Sequence, residues 1–194
     1  MAVPVQMTND SSSVSKMSAV ARNYWTDPFL RYFIRKTSRR APLINRGYYI
    51  RLKAVEYAVS RFISEVSSSP AWQIVSYGAG FDTTFFRLAS EDRLANGVFY
   101  EIDLPNVVKR KSEIIMDSPE LRILVGHCDK PDRKMNGCTC IITSKYRLVS
   151  IDLNDVESLQ SQLQDVGIDV LQPTLFLSEC VLTYLDQSRY DVRF

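Results

Sequence analysis

The chain has 194 residues, of which 45% are apolar, and a formal net charge of +2. This length and composition are typical of one globular domain with a substantial core, and the small net charge predicts no general attraction to nucleic acid. Four scattered cysteines and a single histidine lack the paired spacing of zinc ligands, so we expect no metal. No apolar run is long enough to cross a bilayer and no signal peptide is recognisable, so we expect no membrane contact and a cytoplasmic location.

The first 69 residues are predicted to form a lid and a helical cap. Residues 1–18 are rich in Ser, Thr and Asn, which predicts a flexible lid. Aromatic residues over 20–33 predict short helices around a turn at Asp27-Pro28, and the apolar spacing over 48–66 predicts a long helix. A basic segment joins these parts, and its charges either face solvent or bind an anionic partner such as RNA phosphate. This segment contains Arg31, Arg35, Lys36, Arg39, Arg40, Arg46, Arg51 and Lys53.

A core domain over 70–194 is predicted from four apolar runs that alternate with helical patterns. The predicted strands are 73–77, 98–102, 147–151 and 174–178. A further short strand is possible at 123–125, inside a stretch (117–145) that shows little pattern. The alternation predicts an α/β fold with a mostly parallel sheet and helices on both faces.

Three helices are predicted to connect these strands. The first covers about 82–90, and the second runs from Pro105 to about Met116. The third is predicted to begin at Asn154, with Glu157 at the capping-box position, and to end before Gly167. Its predicted buried stripe is Val156, Leu159, Leu163 and Val166.

A glycine turn, Gly78-Ala79-Gly80, follows the first predicted strand. Such a turn commonly places a pyrophosphate at the start of the next helix. Here Thr83 replaces the third glycine of the dinucleotide motif, no Gly-Lys-Ser/Thr follows, and the carboxylate of Asp82 would repel a phosphate. A nucleoside with positive charge, such as S-adenosylmethionine, fits better. A nicotinamide-dependent oxidoreductase is a less favoured alternative.

Acidic residues end the other three predicted strands, at Asp103, Asp152 and Glu179. Because the carboxyl ends of parallel strands share one edge of the sheet, we expect these acids and Gly78 to line one cleft. Asp103 is placed to accept both ribose hydroxyls, and Asp152 to accept from the adenine amino group. Glu179 would then face the cationic end of the ligand or the substrate. The alternative for each acid is a helix cap without further function.

Four segments, at 39–51, 78–83, 101–105 and 179–184, resemble the leucine carboxyl methyltransferases. These are class I S-adenosylmethionine-dependent enzymes, so the resemblance implies a Rossmann-like fold and carboxyl O-methyl transfer. It also implies that Lys16 and Arg51 hold the cofactor carboxylate, with Lys16 closing the cleft as a lid. We further hypothesise that Arg46 or Tyr184 positions the substrate carboxylate. The implied cofactor contacts are Lys16, Arg51, Gly78, Asp103, Asp152, Leu153 and Glu179.

The two branches of this family act on different substrates. One esterifies the C-terminal leucine of the protein phosphatase 2A catalytic subunit. The other acts in wybutosine synthesis on phenylalanine tRNA, and residues 8–12, 15–16 and 39–44 resemble this branch more. The family sheet has seven strands, whereas four are recognisable here, and 186–194 does not read as a family helix. The resemblance therefore implies an incomplete domain, with an exposed apolar sheet edge, that is either active or a non-catalytic fragment.

Overall fold

The computed structural model describes residues 5–34, 37–128, 134–135 and 138–185. The predictions for 186–194 and for Arg35 and Lys36 lie outside these residues. The helices are α1 (Val5–Val20), α2 (Leu30–Phe33), α3 (Pro42–Glu65), α4 (Thr84–Ser90), α5 (Pro105–Asp117), α6 (Pro119–Val125) and α7 (Val156–Asp165). The strands are β1 (Trp72–Tyr77), β2 (Gly97–Asp103), β3 (Lys134–Met135), β4 (Cys138–Thr139), β5 (Ile141–Ile142), β6 (Tyr146–Ser150) and β7 (Thr174–Ser178).

Five of the strands form one sheet in the order β5-β6-β2-β1-β7. The four predicted strands, β1, β2, β6 and β7, pair in parallel, and the short β5 pairs antiparallel to β6. Strands β3 and β4 pair antiparallel in a separate two-stranded sheet. The predicted mostly parallel sheet is confirmed.

Alternate residues of the central strands pack into two cores, one on each face of the sheet. Ile74 and Phe99 belong to one core with side chains from α3, α4, α5 and α6, among them Val59 and Phe85. The next residue on each strand belongs to the other core, where Val75 and its neighbours pack against α7. A strand that is buried on both faces is apolar at nearly every position, which is why these runs are recognisable in the sequence.

The strand order reverses at β1, and this reversal places the cleft. From β1 the chain moves outward through β2 to β6, then returns to place β7 on the other side of β1. The connection that leaves β1 therefore runs to one side of β1, whereas β7 lies on its other side. In open α/β sheets such a switch point leaves a crevice where ligands bind.

Residues 5–20, most of which belong to the segment predicted to be a flexible lid, form the helix α1. The side of α1 that faces the protein consists of small residues, and Ser15, Ser18 and Ala19 are each less than 5% exposed. The hydroxyl of Ser18 accepts the backbone N–H of Arg40 at 2.9 Å. A buried face made of serine carries no apolar periodicity, so tertiary contacts stabilise a helix that the sequence pattern does not reveal.

Three local predictions in the core domain are wrong. Residues 123–125 belong to helix α6 and not to a strand, because Pro119 starts a helix whose Leu121 and Val125 are buried while Ile123 is 78% exposed. The N-cap of α7 is Asp155 rather than Asn154. Val156 is likewise exposed, although Leu159, Leu163 and Val166 do pack on the sheet.

Strand β7 is the outermost strand on its side of the sheet among the described strands. Several apolar side chains on or beside it are exposed, namely Leu171, Phe176 and Leu182. The predicted apolar edge is therefore present in this part of the chain. None of the described helices combines the length and the hydropathy that a bilayer crossing requires.

Candidate functional site

A cleft of about 500 Å³ lies along the carboxyl edge of the sheet. The four predicted strand-end residues, Gly78, Asp103, Asp152 and Glu179, all line it. Helix α1 and helix α3 contribute the opposite wall, which includes Lys16 and Arg51. The tertiary structure thus brings together acids and cations that are up to 163 positions apart, from Lys16 to Glu179.

The glycine turn after β1 has a backbone that only glycine adopts without strain. Gly78 and Gly80 have φ angles of +58° and +54°. A Cβ atom on Gly78 would lie 2.5 Å from Val181, and one on Gly80 would lie 2.5 Å from Oδ1 of Asn9. Both glycines therefore allow other parts of the protein to approach the turn closely.

The N–H groups of this turn all donate to other groups of the protein. Those of Gly78 and Ala79 donate to the carbonyl of Ile102, at 2.8 and 3.3 Å, and that of Asp82 donates to the carbonyl of Ala79 at 3.0 Å. The N–H groups of Gly80 and Phe81 donate to the side chains of Asp103 and Asn9, respectively. A phosphate-binding turn needs such N–H groups directed at the ligand, so this turn is not a phosphate cradle.

Asp103 is the last residue of β2. One oxygen of its carboxylate accepts a hydrogen bond from the glycine turn, and the other accepts one from the residue that follows the strand. Oδ2 accepts the N–H of Gly80 at 2.6 Å, and Oδ1 accepts the N–H of Leu104 at 2.7 Å. Burial raises the pKa of Asp103 above its ordinary value, against the opposing effect of these two hydrogen bonds. The carboxylate is thereby held in one orientation at the floor of the cleft.

Asn9 on α1 was not predicted from the sequence. Its Oδ1 accepts the N–H of Phe81 at 2.9 Å, so the first described helix is hydrogen-bonded directly to the glycine turn. An isolated Asn in a polar segment gives no signal of such a contact. Helix α1 also lines the cleft, with Asn9, Ser12 and Lys16 among its lining residues.

An alternating row of charges runs across the cleft from the turn to α3. Nζ of Lys16 lies 2.9 Å from Oδ2 of Asp82 and 3.6 Å from Oε2 of Glu179, and the other oxygen of Glu179 lies 2.7 Å from the guanidinium of Arg51. Each of these four side chains is 20–34% exposed. The row therefore presents both carboxylate and cationic groups to a ligand, as a zwitterion requires.

The ion pair between Lys16 and Asp82 fixes the protonation of both groups. Burial acts to lower the pKa of Lys16, but the carboxylates of Asp82 and Glu179 outweigh burial and raise that pKa. Burial acts to raise the pKa of Asp82, yet Lys16 and the N–H of Thr84 hold it well below the usual range. Both groups are therefore charged across the physiological pH range.

Of the remaining predicted site residues, three line the cleft and one does not. Asp152, Leu153 and Tyr184 line the cleft, and Oδ1 of Asp152 accepts the N–H of Asn154 at 2.9 Å. Arg46 does not line it and is exposed. Arg46 and Arg51 are five residues apart on α3, so their side chains leave the helix about 140° apart. The structure therefore does not bring Arg46 to the position that the substrate-positioning hypothesis requires.

Two buried donors in cleft-lining residues have no hydrogen-bond partner among the described residues. These are Nε of Arg51 and Nδ2 of Asn9. Buried polar groups are usually hydrogen-bonded, so donors of this kind suit the carboxylate or hydroxyl groups of a ligand. No group of His, Cys, Asp and Glu side chains that could hold a metal occurs in the described part of the chain.

A second buried charge cluster lies beneath the glycine turn and was also not predicted. Nζ of Lys111 on α5 lies 2.5 Å from Oε2 of Glu101 on β2, and the hydroxyl of Tyr146 donates to the same oxygen at 2.5 Å. Lys111 and Glu101 are fully buried. The sequence carries a signal, because Lys111 interrupts the buried stripe formed by Val107 and Ile115.

Comparison of the sequence with protein families and with known proteins identifies one family, to which the matching proteins belong. The model of the family "Leucine carboxyl methyltransferase" matches residues 7–192. The tRNA wybutosine-synthesizing protein 4 of Homo sapiens is 41% identical over 94% of this chain, which corresponds to 27% of that protein. The leucine carboxyl methyltransferase 1 homolog of Arabidopsis thaliana is 36% identical, and leucine carboxyl methyltransferase 1 of Rattus norvegicus is 32% identical. The matches cover 94% and 93% of this chain and about half, 53% and 54%, of those two relatives.

Proposed function

Because the chain belongs to the leucine carboxyl methyltransferase family, we propose that it binds S-adenosylmethionine and takes part in methyl transfer to a carboxylate. The chain spans about a quarter of one group of relatives and about half of the other. Methyl transfer is therefore proposed for a whole protein of this family, and this chain is proposed to contribute its cofactor cleft.

The observation that carries the cofactor proposal is the combination of groups in one cleft. Asp103 offers a fixed carboxylate of the kind that accepts the two hydroxyls of a ribose. Lys16 and Arg51 offer cations for the amino-acid carboxylate, and Glu179 lies between them for the ammonium group. The turn offers no free N–H groups for a pyrophosphate, which argues against the nicotinamide alternative.

The chemistry that follows needs little acid or base catalysis. S-adenosylmethionine supplies an electrophilic methyl group on a positively charged sulfur. A substrate carboxylate is already ionised at neutral pH, so the residues of the cleft need only orient the reactants and exclude water. Tyr184, which lines the cleft and is 48% exposed, is placed at its outer part and is our candidate for contact with the substrate carboxylate.

As substrate we propose the carboxyl group of the wybutosine precursor in phenylalanine tRNA. The 41% identity to a wybutosine-synthesizing protein, against 36% and 32% to the two leucine carboxyl methyltransferase 1 relatives, supports this choice. The exposed Arg39, which precedes α3, and the exposed Arg46, near the start of α3, would contact phosphates rather than the methyl acceptor. A cytoplasmic location follows as part of the same proposal.

The second candidate is methyl esterification of the C-terminal leucine of the protein phosphatase 2A catalytic subunit. It is favoured by the relatives named leucine carboxyl methyltransferase 1, of which this chain spans the larger share. The third reading is a fragment that binds the cofactor without catalysis.

Calorimetric titration with S-adenosylmethionine tests the cofactor, with NAD as competitor and Asp103→Ala as the variant. We expect binding that NAD does not displace and that the variant loses. Methyl transfer from labelled cofactor is then measured with precursor-bearing phenylalanine tRNA and with a phosphatase C-terminal substrate. Absence of cofactor binding by a folded chain would refute the proposal, and binding without transfer to either substrate would leave the non-catalytic reading.

A further inference from the structure

We infer that Lys111 is a positioning residue for the cleft, which it acts on from beneath by holding the backbone of the glycine turn. The inference rests on the proposed function where it concerns the cofactor, and on geometry alone where it concerns the turn. Lys111 itself lies in the core, outside the residues that line the cleft.

The contact that carries the inference is the hydrogen bond from Nζ of Lys111 to the backbone carbonyl of Asp82, at 2.8 Å. Asp82 is the residue whose carboxylate binds Lys16. The same ammonium group is neutralised by Glu101, 2.5 Å away, and Glu101 is held in turn by the hydroxyl of Tyr146. One charged donor thus links the central strands of the sheet to the turn.

Strand β2 supports the turn at two points through residues on the same face. Glu101 and Asp103 are two positions apart, so both side chains leave β2 on one side. Asp103 accepts the N–H of Gly80, and Glu101, through Lys111, fixes the carbonyl of Asp82. These two hydrogen bonds hold the backbone at both ends of the segment 80–82, which lines the cleft.

Stability alone gives a poor reason for this cluster. Replacing a buried ion pair by uncharged residues of similar volume is often neutral or stabilising. Position 111 lies on an apolar stripe, between Val107 and Ile115, where methionine would fill the space of the lysine stem. The hydrogen bond from Lys111 to the carbonyl of Asp82 gives this buried lysine a different role, which is to hold the backbone of the turn in place.

The test is the charge-balanced double variant Glu101→Gln/Lys111→Met, since Lys111→Met alone leaves an unpaired buried carboxylate and is expected to unfold readily. The glutamine retains an acceptor for the hydroxyl of Tyr146. The matched control is Lys109→Met, which makes the same substitution at an exposed position of α5. Thermal unfolding measures the stability of both variants, and exchange at the amides of the central strands shows how much of any faster exchange is global.

Two readouts then separate positioning from a purely structural role. Amide hydrogen exchange of Gly80, Phe81 and Thr84 is expected to be about tenfold faster in the double variant and unchanged in the control, because the loss of one charged hydrogen bond frees the turn. The Kd for S-adenosylmethionine is expected to rise about tenfold for the same reason.

Wild-type exchange at these three amides in a double variant of wild-type stability would overturn the inference. Wild-type exchange together with a wild-type Kd for S-adenosylmethionine would overturn both the part that concerns the turn and the part that concerns the cofactor. Failure of the unmodified chain to bind the cofactor would instead refute the proposed function, and the exchange measurement would still decide whether Lys111 positions the turn.

Discussion

The side-chain oxygen Oδ1 of Asn9 accepts the backbone N–H of Phe81 at 2.9 Å, across 72 positions of sequence. This single hydrogen bond joins α1 to the glycine turn and occupies an N–H group that a phosphate-binding turn would offer to its ligand. It also explains the second glycine of the turn, because a Cβ atom on Gly80 would lie 2.5 Å from the same oxygen.

Asn9→Ala is expected to lower both stability and cofactor affinity modestly. Loss of one partly buried hydrogen bond costs about 1 kcal/mol of the free energy of unfolding, while α1 loses its contact with the turn. We expect the calorimetric Kd for S-adenosylmethionine to rise about fivefold to tenfold on the same grounds. Asp10→Ala is the matched control, because the ion pair of Asp10 with Arg110 is half-exposed. Equal effects of the two substitutions would contradict the role of Asn9.

Gly80→Ala is expected to be destabilising, and less so in the Asn9→Ala background. The φ angle of +54° costs alanine about 1–2 kcal/mol of backbone strain. In addition, the new Cβ atom would clash with Oδ1 of Asn9, 2.5 Å away. Urea denaturation should show this additional cost, and the double variant Asn9→Ala/Gly80→Ala should remove it. An additional cost that persists in the Asn9→Ala background would show that the clash with Asn9 is not its source.

Asp82→Asn is expected to lower stability at neutral pH, by about 1–3 kcal/mol, and progressively less in acid. Lys16 holds the pKa of Asp82 below its ordinary value, so this contribution is complete above the unfolded pKa, about 4, and is lost as pH falls towards the folded pKa. The asparagine keeps the acceptor for the N–H of Thr84.

Thermal unfolding of this variant and the wild type from pH 7 to pH 2 measures the effect. The two Tm values should converge below pH 4. Asp10→Asn, at a half-exposed ion pair, should change Tm little at any pH. A Tm difference that stays constant down to pH 2 would exclude the ionised carboxylate as the source of stability.

Arg51→Gln and Arg46→Gln are expected to act on different ligands. Arg51 lines the cleft and pairs with Glu179, so its substitution should raise the cofactor Kd about tenfold or more, as loss of a charged hydrogen bond does. Arg46 is exposed outside the cleft, so its substitution should leave that Kd unchanged.

The Arg46 variant should instead weaken binding of phenylalanine tRNA and lower the slope of log K against log salt by about 1, as loss of a phosphate contact does. Calorimetry and a salt series of tRNA binding measure the two effects. A fall in cofactor affinity on substitution of Arg46, or an unchanged salt slope, would contradict this division of roles.

The sequence by itself determined the sheet and the floor of the cleft. Strands that are buried on both faces must be apolar along their length, so β1, β2 and β6 are recognisable as runs. The outermost described strand, β7, is also an apolar run, although its side chains are only partly buried. The residue that ends each run has to lie at the same edge of a parallel sheet, which predicted the meeting of Gly78, Asp103, Asp152 and Glu179.

Only the tertiary structure decided the parts that depend on contacts between distant segments. Helix α1 buries serines, whose small polar side chains give no periodic signal, and its Asn9 is meaningful only beside Phe81. The direction of α3 separates Arg46 from Arg51, although both belong to one basic segment. Lys111 becomes a support for the turn because Glu101 and the carbonyl of Asp82 meet it inside the core. Local pattern reports which face of an element is buried, whereas hydrogen bonds and ion pairs depend on what lies opposite that face.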